Sequence, residues 1–340
     1  MNSSPINLAL IGATGVVGTK IIKLLEKKSF PVKGFIPLGN STVGSNTTFN
    51  GVDYEVQSLG SFQPESVDLI IFAAGSSIAY EHARAFVECG TYVIDLSSHF
   101  RYEEDVPLII PEINGDLLDE LEGPTLIANP NCSTAQLLMA LKPIHDEFNI
   151  EMMNVATYQA VSGTGKAALE ELHNQTYFSD SSGPPSVYPK QIAFNVIPQC
   201  DVFLDNDFTK EEMKLSWETH KILDPHIFVQ ATCVRVPVFN GHSEAVFCKV
   251  SKNTSRDQII KLLTNSEGIQ VIDNPETLEY PTPVEHANDT EEVFVGRIRA
   301  QELAEENWVS LWVVADNVYG KGAALNAVQI AERLLATNKL

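Results

Sequence analysis

The residue best placed to do chemistry is Cys132, in the segment Asn129-Pro130-Asn131-Cys132-Ser133-Thr134. A short apolar strand ends before Pro130, and an amphipathic helix beginning near Ser133 is predicted by its apolar spacing, at Leu137, Leu138, Leu141 and Ile144. The unpaired N–H groups and positive dipole of a helix N-terminus stabilise a thiolate, the form of cysteine that attacks carbonyl carbons. Cys132 is therefore either a nucleophile at the mouth of a sheet or a buried cysteine that acts as a small hydrophobic residue.

Charged residues that could bind a substrate lie in three other segments. Arg235 falls inside a predicted strand, and His242 follows it after a glycine turn. Glu218 and Lys221 are three residues apart on one face of a predicted helix. Arg101 follows the carboxyl end of a strand, where open α/β sheets bind ligands. Taken singly, each has a structural explanation: a capping histidine, a solvated Glu–Lys pair or a surface ion pair.

A nucleotide-binding turn is predicted at residues 12–18, Gly-Ala-Thr-Gly-Val-Val-Gly, between the first strand and the first helix. The glycines let an anion approach the backbone, and the helix N-terminus attracts a pyrophosphate. The spacing departs from G-x-G-x-x-G, so a tight structural turn is the alternative interpretation. No Asp or Glu lies between Val32 and Gly44 to hold the ribose 2′-hydroxyl of NAD, which favours NADP, although Lys33 is the only cation nearby.

The composition narrows the class of protein. A chain of 340 residues is long for one core, so two domains are expected. The net charge of −21 argues against nucleic-acid binding, which depends on clustered Lys and Arg. No apolar run approaches the ~18 residues of a membrane span, and no signal peptide is recognisable, so a cytoplasmic protein is expected. The 5 scattered cysteines predict reduced thiols and no metal site.

The order of elements indicates an α/β protein. Helices at residues 15–28 and 78–89 alternate with strands, which predicts a doubly wound parallel sheet. These strands are expected at residues 6–11, 32–38, 67–74, 92–96 and 126–128. Residues 39–51 are expected to be a loop because they are rich in Gly, Ser, Thr and Asn.

After about residue 150 the strands become longer and more polar, which predicts an α+β domain with a mixed or antiparallel sheet. Its strands are expected at residues 153–161, 228–236, 244–250, 294–299 and 309–315, and its helices at 166–176, 209–223 and 255–264. Residues 179–189 are a candidate lid on composition alone. The final helix, at residues 322–335, is expected to pack on the first domain.

Together these segments resemble one family, the aspartate-semialdehyde dehydrogenases, over essentially the whole chain. The motifs that carry the resemblance are residues 12–18, 98–101, 106–114, 129–134, 158–166, 235–238, 241–243 and 312–317. The resemblance implies a Rossmann-type NADP-binding domain at residues 1–131, completed by a helix at 318–340, and a catalytic and dimerisation domain at 132–317.

The resemblance also implies a role for each matching residue. Cys132 is the nucleophile that forms an acyl-thioester, His242 the general acid/base, and Gln159 orients the substrate. Arg235 pairs with the substrate's α-carboxylate and Glu218 with its amino group. The phosphate is held by Arg101, Lys221 and Asn131. The cofactor-binding set is Gly12, Thr14, Gly15, Val16, Val17, Ser41, Thr42, Ser162, Gly163 and Asn317.

This residue set matches the reversible NADPH-dependent reduction of L-aspartyl 4-phosphate to L-aspartate 4-semialdehyde and phosphate. The substrate carries a carboxylate, an ammonium and an acyl phosphate, so its recognition needs several cations and one carboxylate. In the oxidative direction Cys132 attacks the aldehyde, His242 takes the hydroxyl proton, hydride passes to the nicotinamide and phosphate attacks the thioester. The resemblance places the reaction in the biosynthesis of lysine through diaminopimelate, and of threonine, methionine and isoleucine.

Several alternatives stay open at this point. Where family members often carry an Arg–Ser pair for the 2′-phosphate, this chain has Ser41 and Thr42, so NAD is the weaker alternative to NADP. The resemblance implies a homodimer, with a homotetramer as the alternative. Another acyl-phosphate reductase, such as an N-acetylglutamyl-phosphate reductase, is disfavoured by Glu218 because an acetylated nitrogen carries no charge. An inactive paralogue that serves as a binding subunit is the non-enzymatic alternative.

Overall fold

The computed structural model describes residues 4–178 and 184–340. The chain divides into two compact units, Met1–Asn131 with Ala323–Leu340 (unit 1) and Cys132–Gly322 (unit 2). The boundary therefore falls directly before the cysteine singled out from the sequence. Within the described residues, no helix has the length and apolar character that crossing a membrane requires.

Unit 1 is built around a parallel sheet. Its strands are β1 (Ile6–Ile11), β2 (Val32–Gly39), β3 (Asn46–Phe49), β4 (Val52–Glu55), β5 (Gln57–Ser58), β6 (Leu69–Phe72), β7 (Tyr92–Asp95) and β8 (Leu126–Ala128). Its helices are α1 (Val16–Lys27), α2 (Ser76–Glu88), α3 (Pro111–Asn114) and, at the end of the chain, α9 (Ala324–Ala336). The parallel sheet has the order β5-β2-β1-β6-β7-β8. This confirms the predicted Rossmann-type sheet, whose apolar strands are buried as parallel strands require.

The prediction of a loop at residues 39–51 is partly wrong. Strand β3 lies inside this range and pairs with β4 as an antiparallel hairpin. The missed signal is Asn50-Gly51, a two-residue turn in which both residues have positive φ, 51° and 76°. The Phe49 ring packs at 4.8 Å from Phe35 on β2 and is buried. The polar strand β3 is therefore held against β2 by one buried side chain, that of Phe49.

The last helix, α9, completes unit 1 by packing against α1. Asn326 donates hydrogen bonds to the Ile109 carbonyl at 2.9 Å and to the Asn129 side chain at 2.8 Å. Arg333 forms an ion pair with Asp119. The C-terminal helix is thus fixed to the loops that precede and follow β8.

Unit 2 contains a second sheet with helices packed on it. Its strands are β9 (Ile150–Gln159), β10 (Phe228–Arg235), β11 (His242–Val250), β12 (Ile269–Val271), β13 (Val293–Leu303) and β14 (Glu306–Ala315). Its helices are α4 (Cys132–Phe148), α5 (Lys166–Tyr177), α6 (Lys210–Ile222), α7 (Arg256–Thr264) and α8 (Pro283–His286). The sheet order is β10-β9-β11-β14-β13-β12, with parallel pairing at both edges and antiparallel pairing between. The predicted mixed sheet is confirmed.

Helix α4 differs from the amphipathic helix that its sequence predicts. Its residues 133–141 are all buried, so the helix has no solvent-facing side over that length. The reason is that α4 contacts four strands of the sheet, β9, β11, β13 and β14, as well as α6 and α7. Its polar residues Ser133 and Gln136 are consequently inside the protein.

A carboxylic acid lies in this interior. Glu244 on β11 is fully buried, and neither of its oxygens forms a hydrogen bond within the described residues. The Gln136 side chain lies beside it on α4. Burial raises the pKa of Glu244 well above its ordinary value of 4.5, so the carboxyl is held in its neutral form.

We expect Glu244→Gln to raise the Tm by an amount that grows with pH. The folded protein keeps a proton on Glu244 that the unfolded chain releases above pH 4.5. The stability of the unaltered protein therefore falls as pH rises, and glutamine avoids that loss. Thermal unfolding from about pH 4 to about pH 9 measures the difference. Glu276→Gln, on an exposed loop, is the control; the same Tm difference at every pH would contradict the interpretation.

Candidate active site

The register of three neighbouring strands brings the predicted site residues together. Gln159 at the end of β9 pairs directly with Arg235 at the end of β10. On the other side of β9, Ser243 pairs with Tyr158, so His242 lies next to Gln159. Because paired residues on adjacent strands point to the same face, these three side chains occupy one face of the sheet. All three are buried.

The predicted nucleophile contacts the predicted acid/base. The Cys132 Sγ lies 3.3 Å from His242 Nε2. Cys132 is the first residue of α4 and is partly exposed. In contrast, Cys200, Cys233 and Cys248 are buried, and burial raises the pKa of each thiol. Of the thiols in unit 2, Cys132 therefore has the setting of a nucleophile.

The hydrogen bonds of His242 fix its tautomer. The Ala160 backbone N–H donates to His242 Nδ1 at 3.0 Å, so Nδ1 accepts and the ring proton is assigned to Nε2. Burial lowers the pKa of His242 to about 3, with a further contribution from Arg235, against the opposing effect of Glu211. At neutral pH His242 is uncharged and directs an N–H toward Cys132. Such an arrangement can stabilise a thiolate or an oxyanion by donating a hydrogen bond.

Gln159 links the strand end to two helices. Its Nε2 is 3.1 Å from Ser133 Oγ at the start of α4 and 3.1 Å from Glu211 Oε1 on α6. The same nitrogen is 3.2 Å from Thr157 Oγ1. Gln159 therefore sits beside the first turn of the helix that carries Cys132.

Glu211 is a carboxylate that contacts this cluster and was not among the residues chosen from the sequence. Glu211 Oε2 accepts from Lys214 Nζ at 2.8 Å, and Asp201 accepts from the same Nζ at 2.7 Å. Burial alone would lower the pKa of Lys214, but Glu211 and Asp201 outweigh it and raise the pKa, which keeps the amine charged. Glu211 and Lys214 thus form a buried acid–base pair next to Gln159.

The residues chosen from the sequence, Glu218 and Lys221, repeat the same spacing two turns further along α6. Seven residues of helix span about 10 Å, so Glu218 is displaced by that length from Glu211. Glu218 is fully buried. The signal that could have found Glu211 is its place in the first turn of α6, after the Thr209 capping box.

Arg235 keeps donor capacity for a ligand. Its Nη1 donates to the Ala160 carbonyl at 2.7 Å, whereas its buried Nε has no hydrogen-bond partner among the described residues. A Cβ on Gly163 would lie only 3.2 Å from His242 Cε1 and 3.4 Å from Arg235 Nη1. Glycine at this position therefore lets the backbone lie directly against both residues.

The predicted phosphate ligands Arg101 and Asn131 lie in unit 1 and are both buried. Arg101 follows β7, and its guanidinium donates to the carbonyls of Asn129 and Leu96, each at 2.9 Å. Asn131 directly precedes Cys132 in the chain. These hydrogen bonds fix Arg101 at the carboxyl end of the parallel sheet, as predicted.

The nucleotide turn in unit 1 has the geometry that a pyrophosphate requires. Gly12 has φ +80°, and a Cβ there would lie 2.4 Å from the Ala73 carbonyl oxygen. A Cβ on Gly18 would lie 2.1 Å from the Gly12 carbonyl oxygen. Gly15 is the N-cap of α1, whose first turn, starting at Val16 and Val17, carries no acidic residue. Glycine therefore keeps this turn, the glycine cradle, close to the neighbouring backbone, and the N-terminus of α1 that follows it is suited to an anion.

The loop after β2 reaches this turn through Thr42. Thr14 Oγ1 and Thr42 Oγ1 are 3.2 Å apart, and the neighbouring Ser41 is exposed. Lys33, the cation considered for the 2′-phosphate, starts β2, whereas the turn lies at the opposite, carboxyl end of the paired strands. Six residues of strand separate Lys33 from Gly39 by about 20 Å, so Lys33 does not lie at the end of the strand where the turn is found.

The remaining predicted cofactor residues, Ser162, Gly163 and Asn317, lie in unit 2. The Ser162 hydroxyl is hydrogen-bonded to the Asn317 side chain at 3.0 Å. Asn317 Oδ1 also accepts from the Gly241 N–H at 2.9 Å, directly before His242. A Cβ on Gly322 would lie 2.8 Å from Cys132 Cβ. The loop after β14 is thus packed against the nucleophile and tied to the turn before the histidine.

Comparison with known proteins agrees with both units. The family model described as semialdehyde dehydrogenase, NAD binding domain, matches residues 7–121. The model described as semialdehyde dehydrogenase, dimerisation domain, matches residues 141–319. These are the domains of an oxidoreductase that acts on an aldehyde with a nicotinamide dinucleotide.

Individual relatives match over nearly the full length. The aspartate-semialdehyde dehydrogenase of Shewanella sp. (strain DB6705) is 45% identical over 98% of each chain. The crystal structure of aspartate semialdehyde dehydrogenase II complexed with ASA from Vibrio cholerae has a TM-score of 0.94 and 44% identity, covering 98% of this chain and 99% of the other. The Candida albicans enzyme with NADP has a TM-score of 0.77 and 25% identity, covering 99% and 100%. The chain belongs to the aspartate-semialdehyde dehydrogenase family.

Proposed function

We propose that this chain catalyses the reversible NADPH-dependent reduction of L-aspartyl 4-phosphate to L-aspartate 4-semialdehyde and phosphate. The observation that carries the proposal is the contact of Cys132 Sγ with His242 Nε2, beside the buried Arg235. A cysteine nucleophile divides the reaction into two steps through an acyl-thioester. The proposal includes the biosynthesis of lysine through diaminopimelate, and of threonine, methionine and isoleucine.

Substrate recognition follows from the charges of the site. Arg235 is proposed to bind the α-carboxylate, because a guanidinium matches a carboxylate with two parallel hydrogen bonds. Glu218, which is fully buried on α6, is proposed to pair with the substrate's amino group, and Lys221 on the same helix is proposed to bind the phosphate. Glu211, on the same helix, is a second buried carboxylate and is hydrogen-bonded to Gln159.

The phosphate ligands proposed in unit 1 are Arg101 and Asn131, which the resemblance implies. An N-acetylglutamyl-phosphate reductase stays disfavoured by Glu218, because an acetylated nitrogen offers no charge to a buried carboxylate.

The cysteine performs the covalent step. In the biosynthetic direction the Cys132 thiolate attacks the acyl carbon, the C–O bond to phosphate breaks, and the thioester remains on Sγ. When bound, the nicotinamide supplies hydride to the thioester carbon. Cys132 then leaves as a thiolate, and the aldehyde is released. The first turn of α4 stabilises that thiolate at both ends of the cycle.

The histidine acts mainly as a hydrogen-bond donor in this geometry. Because Ala160 donates to Nδ1, the Nε2–H of His242 faces Sγ, and it is proposed to donate to the oxygen of an acyl group carried on Sγ. Donation from Nε2 stabilises the negative charge that develops on that oxygen in both steps. The resemblance implies an acid/base role for His242, and we propose that its part in that role is hydrogen-bond donation from Nε2. A second proton on the ring would have to bind Nδ1, which already accepts from the Ala160 N–H.

NADP is the proposed cofactor, with NAD as the weaker alternative. The family domain and the glycine cradle at residues 12–18 support a nicotinamide dinucleotide. The Candida albicans relative contains NADP. Ser41 and Thr42 offer hydroxyl donors to a 2′-phosphate, and residues 39–45 contain no cation.

The proposed domains are an NADP-binding domain at residues 1–131 with 318–340 and a catalytic and dimerisation domain at 132–317. We propose a homodimer formed through the sheet of unit 2, with a homotetramer as the alternative. The face of this sheet opposite Gln159 and His242 carries Tyr158 and Trp312, 5.4 Å apart, and the stacked rings of Phe247 and Trp308. An aromatic sheet face of this kind is suited to a second copy of the same chain. The molecular mass of the protein in solution measures the number of chains in the assembly.

We expect the purified protein to reduce NADP with L-aspartate 4-semialdehyde only when phosphate is present. Cys132→Ala should lower kcat by at least about 1000-fold, because the covalent intermediate cannot form. The kcat/KM for NADP should exceed that for NAD. Spectrophotometric assay of nicotinamide reduction measures all three quantities.

Cys89→Ala is the matched control, since Cys89 is exposed and should leave the activity unchanged. Activity that survives Cys132→Ala would refute the thioester mechanism. A higher kcat/KM for NAD would reverse the cofactor assignment. An intact protein without activity would favour the non-enzymatic paralogue.

We expect Glu218→Gln to lower kcat/KM for the semialdehyde by about 10- to 100-fold, the effect of losing a charged hydrogen bond to the ammonium. Glu170→Gln, at an exposed position on α5, is the control and should change kcat/KM by less than about threefold. Steady-state kinetics at saturating NADP and phosphate give both values, and thermal unfolding checks that both variants fold. An effect at Glu218 no larger than that at Glu170 would refute the assignment.

A further inference from the structure

One carboxylate on α5 holds a segment that reaches the substrate-binding arginine. Glu171 is 8% exposed and accepts hydrogen bonds from the backbone N–H and hydroxyl of Ser186, at 2.7 and 2.9 Å. It also accepts from the N–H groups of Val187 and Tyr188, at 2.7 and 3.4 Å. Four donors from three consecutive residues therefore converge on a single side chain.

A second residue on the same face of α5 extends this attachment. Gln175, one helical turn after Glu171, accepts from the N–H groups of Ile192 and Ala193 at 2.9 and 3.1 Å. Apolar contacts complete it in one buried cluster, Val161, Ala168, Leu172, Tyr188, Ile192, Ala193 and Ile197. Residues 186–188, 192 and 193 are thus hydrogen-bonded to α5, and the first three belong to the candidate lid at residues 179–189. Residues 179–183 of that candidate lie outside the described residues.

The residue placed by this attachment is Tyr188, which contacts two parts of the active site. Its ring lies 5.9 Å from the Arg235 guanidinium carbon. Its hydroxyl donates to Thr164 Oγ1 at 2.9 Å, at the end of the turn Val161–Thr164 that carries Ser162 and Gly163. A guanidinium over an aromatic ring is attracted to the ring face.

Arg235 depends on such support for its orientation. The hydrogen bond from Nη1 to the Ala160 carbonyl restrains one end of the guanidinium, and its Nε has no partner among the described residues. A planar group held at one corner can still rotate, and the Tyr188 ring limits that rotation. A bidentate grip on a carboxylate requires the guanidinium plane to be fixed.

We propose that Glu171 is a positioning residue: it holds residues 186–188 so that Tyr188 fixes the Arg235 guanidinium for the α-carboxylate of the substrate. The inference rests on the proposed function, because it takes Arg235 as the ligand of that carboxylate. Glutamine replaces the carboxylate only in part: its oxygen can take the place of Oε2, but the negative charge is lost and its NH₂ group would face the Tyr188 N–H.

The kinetic test compares Glu171→Gln with Tyr188→Leu and Tyr188→Phe. Glu171→Gln and Tyr188→Leu should each raise the KM for L-aspartate 4-semialdehyde about tenfold, with kcat and the KM for NADP within about twofold. Tyr188→Phe keeps the ring on Arg235 and should restore the KM to within about threefold. The KM of the double variant Glu171→Gln/Tyr188→Leu should be no higher than the larger of the two single-variant KM values, because both changes act through one contact. Glu170→Gln is the matched control, an exposed neighbour on α5 that pairs with Lys166.

A binding measurement separates this inference from the proposed function. In the Cys132→Ala background, the calorimetric Kd for the semialdehyde should rise about tenfold on adding Glu171→Gln. An unchanged Kd and KM would overturn the inference and leave the function standing. A uniform loss of kcat, or additive effects in the double variant, would also overturn it by showing a merely structural role. Failure of the Cys132→Ala protein to bind the semialdehyde would refute the function and the inference together.

Discussion

The candidate site depends on the register of β9 between β10 and β11. That register puts Gln159 beside Arg235 on one strand and beside His242 on the other. Slipping either strand by one residue would turn its functional side chain to the opposite face of the sheet. The helix that carries Cys132 then needs only to lie across this face for sulfur and imidazole to meet. The pairing of the backbones therefore places these three side chains on one face of the sheet.

Burial and neighbouring charges explain the protonation states of the groups in the site. Lys214 stays charged because Glu211 and Asp201 surround it, and a buried ammonium without such partners would lose its proton. His242 stays neutral because burial lowers its pKa, with a further contribution from the positive Arg235. In a protein with a net charge of −21, two carboxylates thus pair with Lys214, whereas the Arg235 Nε has no hydrogen-bond partner among the described residues.

The differences between expectation and structure have specific causes. Glu211 with Lys214 and Glu218 with Lys221 have the same spacing on α6, and helical periodicity cannot distinguish pairs that share a face. Lys33 is close to the nucleotide turn in sequence but lies at the far end of a strand. The hairpin of β3 and β4 escaped notice because its residues are polar, although Asn50-Gly51 signalled it.

The sequence by itself determined the class of fold and indicated the proposed nucleophile and nucleotide turn. The evidence was local: alternating elements, a cysteine that follows Pro130-Asn131, and closely spaced glycines. Such patterns involve residues that are close together in the sequence, so they can be recognised without the structure. Only the tertiary structure decided which acid meets Gln159, which nitrogen of His242 carries the proton, and how Glu171 reaches Arg235 through Tyr188. Those outcomes depend on contacts between residues far apart in the chain, and the free energy of such contacts is set by packing, which the order of residues does not display.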